Sequence, residues 1–129
     1  MIKLILQPPS SSLCGQACVA MAAGITLEES IRVFGHKHKT KTKELIRVLR
    51  SRHIFTGDKL KRFPQYTAWS FSLNPHRAII KEIYGPIRKR KSHWILLWDG
   101  HIYDPDPHDI PGTKYSSYLG MDKITEVPT

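Results

Sequence analysis

Two apolar runs meet at Asp99-Gly100, and that junction constrains the chain more than any other feature. Ser92-His93-Trp94-Ile95-Leu96-Leu97-Trp98 precedes it, and His101-Ile102-Tyr103-Asp104-Pro105 follows. Asp-Gly between strand-forming runs signals a tight hairpin, because both central residues tolerate positive φ. A hairpin turning there brings its open ends together. His93 and Asp104 then lie near the same end on neighbouring strands. An imidazole so placed can be oriented by the carboxylate and can accept a proton.

A candidate proton donor lies near the N-terminus. Gln7-Pro8-Pro9-Ser10-Ser11-Ser12 leads into Leu13-Cys14-Gly15-Gln16-Ala17-Cys18-Val19-Ala20-Met21-Ala22-Ala23-Gly24. The second stretch has the small-residue pattern of a buried helix. Cys14 falls in its first turn, where unpaired N–H groups and the helix dipole favour an anion. A thiolate is the nucleophilic form of cysteine. Cys18 is one turn deeper on roughly the same face, among residues that suggest burial. Read alone, the window is equally two small core residues.

Taken in order, Gln7, Cys14-Gly15-Gln16-Ala17-Cys18, His93-Trp94 and Asp104-Pro105 resemble the papain-like cysteine peptidases. The nearest resemblance is to the bacteriocin-processing (double-glycine leader) peptidase domain and its stand-alone relatives. The matching elements run from residue 7 to 105, and the middle of the chain adds no comparable match. The resemblance implies a minimal papain-like fold, with Cys14 as nucleophile, His93 as base, Asp104 as orienting carboxylate and Gln7 as oxyanion donor. It implies a cysteine-dependent hydrolase cleaving a peptide or isopeptide bond through a thioester. Deamidation or transglutamination would use the same four residues. A binding protein without turnover is the competing class. The substrate is then a peptide or protein, acidic if Arg88-Lys89-Arg90-Lys91 line the groove with Trp94. No cofactor is expected.

Charge supports that competitor. The net charge is +9, and residues 31–62 carry eleven Lys or Arg against two acids. A field of this kind attracts acidic proteins or nucleic acid. No regularly spaced nucleic-acid module accompanies it. His36 and His38 stand two apart, but no nearby cysteine or carboxylate completes a ligand set, so no metal is expected. His53 reads as structural, and His108-Asp109 is a weaker acid–base pair than His93 and Asp104. Two cysteines do not make a disulfide framework, and no apolar run of ~18 residues is present. One cytoplasmic domain over residues 1–129 is the expectation.

The patterning predicts an α+β fold with helices at one side of a small antiparallel sheet. Strands are expected at 2–6, 67–73, 92–98, 101–104 and 122–127. Helices are expected at 13–23, 27–34, 42–52 and 75–84. Thr26 and Glu29 form a capping box, and Gly24 and Gly35 end the first two helices. Thr40 or Thr42 is expected to cap the third.

Overall fold

The computed structural model describes residues 2–62, 76–108 and 113–123. Among the described residues it is an α+β structure of three α-helices and one antiparallel sheet. The helices are α1 (Cys14–Ala23), α2 (Leu27–Phe34) and α3 (Thr42–Ser51). Helices α1 and α3 lie against the sheet, and α2 packs on those two helices. The strands are β1 (Ile54–Thr56), β2 (Lys61–Arg62), β3 (Arg77–Tyr84), β4 (Lys91–Trp98), β5 (His101–Tyr103) and β6 (Lys114–Lys123). The sheet order is β1-β6-β3-β4-β5, and β2 also pairs with β6. None of the described helices is long and apolar enough to cross a membrane.

Local signals set the helices. Gly24 and Gly35 adopt left-handed conformations at the ends of α1 and α2, where glycine carries no Cβ penalty. The Thr26 hydroxyl accepts the Glu29 N–H at 3.0 Å. For α3 neither threonine is the cap. Lys41 holds that position, and its N–H donates to Glu44 Oε1 at 3.0 Å.

Residues 75–84 were expected as a helix, but 77–84 form the central strand β3, paired with β4 and β6. Ala78, Ile79 and Ile80 are all fully buried. A strand covered on both faces loses its polar alternation, and a short apolar run then looks like a buried helix. The three β-branched isoleucines at 79, 80 and 83 fit the strand. Residues 2–6 form no strand. The final strand starts at Lys114, well before the expected 122. The strand expected at 67–73 lies outside the described residues.

Alternation along β3 divides the core. Ile79 joins Cys18, Val19, Leu45, Val48 and Leu49 on the helix-covered face. Ala78 and Ile80 join Ile95 and Leu97 on the opposite face. The β4–β5 turn sits at Asp99 and Gly100, both with positive φ (48° and 84°). In β6, Ser117 pairs with Lys81 and Tyr115 with Glu82, so Ser116 is an extra residue opposite that step. Such a bulge bends the strand and re-aims neighbouring side chains.

Candidate metal centre

Three strands converge on one group of side chains. Glu82 on β3 is the cross-strand partner of His93 on β4. Asp104 follows directly after β5, the strand beside β4. One ligand atom from each of Glu82, His93 and Asp104 lies within 4.8 Å of the other two. Glu82 and His93 are buried, at 7% and 6% exposure, and Asp104 is partly buried. His93 Nε2 donates to Asp104 Oδ1 at 2.6 Å. On the other side, His108 Nε2 donates to Glu82 Oε1 at 2.8 Å. The two histidine rings are 6.1 Å apart, edge to face.

The electrostatics follow from that geometry. Burial opposes the charged imidazole of His93, but Asp104 and the nearby Cys14 outweigh it and raise its pKa from 6.5 to about 10. In the metal-free protein this pairing stabilises the fold fully below about pH 6.5 and fades as pH rises towards 10. Burial opposes ionisation of Asp104 as well, yet the bonds from His93 and the Asp106 N–H hold its carboxyl below the usual value.

This arrangement overturns the cysteine-dependent hydrolase and thiol-peptidase reading. His93 belongs to a buried His–Asp–Glu set suited to coordinating a metal. Both cysteines are buried and unpaired. The Cys14 sulfur accepts the Trp94 backbone N–H at 3.5 Å and also lies near His93, whose pKa it helps to raise. Burial pushes the Cys18 thiol well above its ordinary pKa. Gln7 is anchored near Asp104 by its N–H to the Pro105 carbonyl at 2.9 Å. Its amide donates to the Ser11 carbonyl at 2.8 Å and faces the Ser11 hydroxyl at 3.3 Å, so these donors are spent locally. Asp99 stays at the turn, paired with Arg77 at 2.8 Å.

The expected groove is also placed differently. Trp94 is nearly buried, and its indole N–H reaches the Thr40 carbonyl at 3.4 Å. Arg88, Lys89, Arg90 and Lys91 are exposed on the turn and strand start that precede His93. A cavity of about 270 Å³ beside Cys14 and Trp94 is lined instead by Lys39, Lys41 and Lys81.

The Cys14-Gly15-Gln16 segment has a packing role that the sequence reading missed. Gln16 is fully buried, and its amide donates to the carbonyls of His36 and His38 at 3.2 and 3.0 Å. It thereby pins the basic loop to α1. A Cβ on Gly15 would lie 1.9 Å from Thr40 Oγ1 and 2.9 Å from Thr40 Cβ. Gly15→Ala should therefore cost about 1–3 kcal/mol, as overpacking does. A denaturant midpoint measures the cost, and Thr40→Ala in the same chain should recover part of it. Further along the loop, His36 meets a carboxylate after all, since Nε2 pairs with Glu44 at 2.5 Å.

Glu82 is the site residue absent from the sequence reading. Its signal was a charge in register with Ala78 and Ile80, visible only once the stretch is read as a strand. No family model matches the chain, and no curated protein does either.

Proposed function

We propose that the protein binds a divalent transition-metal ion through Glu82, His93 and Asp104, as a binding protein on a scaffold of papain-like type. The carrying observation is the buried set of one imidazole and two carboxylates with ligand atoms within 4.8 Å. Imidazole with carboxylates suits borderline to hard divalent ions such as zinc, iron(II) and manganese(II). His108 adds the orienting contact that metal-ligating carboxylates require. A metal would displace the proton that His93 and Asp104 share, because an imidazole ligates only when its nitrogen is free.

Calorimetric titration of chelator-treated protein with zinc or manganese(II) tests the proposal. One saturable site per chain, with proton release, is the expected result. Cys14→Ala should still bind one ion per chain, because Cys14 is outside the ligand set. Absence of saturable binding would reduce the cluster to a hydrogen-bonded network. Metal binding that depends on Cys14 but survives His93→Ala would place the site elsewhere.

A further inference from the structure

The cavity beside Trp94 has the opposite electrostatic character from the metal centre. Lys39 and Lys41 reach it from the loop before α3, and Lys81 from β3. Thr42 and Ser92 add hydroxyls, and no carboxylate lines it. Lys81 is partly buried directly across from Trp94. Among the described residues, none of the three lysines makes an ion pair. Lys39 and Lys41 are exposed, but Lys81 is partly withdrawn from water without a partner, which is costly and favours a bound anion. Thr40, also in the lining, has a buried hydroxyl with no hydrogen-bond partner among the described residues. The first turn of α3 begins at the same place, its cap N–H already taken by Glu44.

We infer that this cavity binds a phosphate group, as the free ion or as a phosphomonoester. Three ammonium groups match a dianion better than a single carboxylate, and the hydroxyls can donate to its oxygens. The volume of about 270 Å³ accommodates one such group with little attached to it. The site takes residues 39–42 from the basic 31–62 stretch and adds Lys81, Ser92 and Trp94 from the sheet, so it adds shape to charge. Its residues are distinct from the metal ligands, so the two sites can fail independently.

Titration of the full chain with inorganic phosphate, followed by ³¹P NMR at physiological salt, is the test. Saturable binding is expected. Lys81→Gln should weaken it about tenfold, the loss of one charge-assisted hydrogen bond. Lys37→Gln should change it by less than about twofold, because Lys37 does not line the cavity and acts only through screened, longer-range charge. Should Lys81→Gln fail to fold, Lys39→Gln and Lys41→Gln on exposed positions serve in its place. A short oligonucleotide with a 5′-phosphate is then compared with its 5′-hydroxyl form. Preference for the phosphorylated form identifies a nucleic-acid end as the source, and equal behaviour alongside phosphate binding identifies a small ester or the free ion. Unsaturable binding, or equal weakening by Lys37→Gln and the cavity variants, would overturn the inference and leave only diffuse surface charge.

Discussion

Glu82→Gln, His93→Ala and Asp104→Asn should each weaken metal binding by about 100-fold or more. Loss of an outer-shell contact alone costs about 10–100-fold, and each of these changes removes a donor atom itself. His108→Ala removes no donor atom but only its contacts to Glu82 and the neighbouring rings, and should fall inside the outer-shell range. Thermal stability offers a second readout. A metal at 100 times its dissociation constant stabilises the folded state by about 2.7 kcal/mol. For a chain of this size that raises Tm by roughly 10 °C. The rise should vanish with a chelator and be absent in His93→Ala. Affinity should increase with pH, because protons compete for the imidazole and carboxylates. Identical Tm gains in the wild type and all three variants would show that the metal acts elsewhere.

The second large effect lies in the core. Ile79→Ala should destabilise the fold by about 2–5 kcal/mol, the range for deleting a buried branched side chain. Ile79 is fully buried between Leu96 on β4 and Leu119 on β6, its cross-strand neighbours. All three belong to the cluster beneath α1 and α3, so neighbouring backbones have little room to collapse into the gap. Urea unfolding should show a lower midpoint with an unchanged slope. Ile80→Ala removes a side chain from the other cluster. Its cost should add to that of Ile79→Ala with little coupling, as for residues without shared partners. Strong coupling between them would contradict their placement on opposite faces.

These positions also show what was legible in advance. Helices bounded by Gly24, Thr26 and Gly35 were readable, because caps act within a few residues. The nearness of His93 and Asp104 followed from one local turn at Asp99-Gly100. β3 was not readable, because its character depends on strands that pair with it from far along the chain. With β3 misread as a helix, Glu82 had no reason to meet His93. The donor set thus lost one member, and Cys14, which lies near His93, stood in its place as the third group of the site. Lys81 was overlooked for the same reason, while the more conspicuous run of cations at 88–91 suggested a groove.

The bulge opposite Lys81 and Glu82 gives those adjacent residues a joint consequence. Lys81 serves the cavity on the helix-covered side, and Glu82 serves the carboxylate cluster on the other. Adjacent positions of one strand thus carry a group that favours anions and a group that favours cations. Occupants of the two sites would carry opposite charge and attract one another. Each would then tighten the other by the same factor, since thermodynamic coupling is reciprocal.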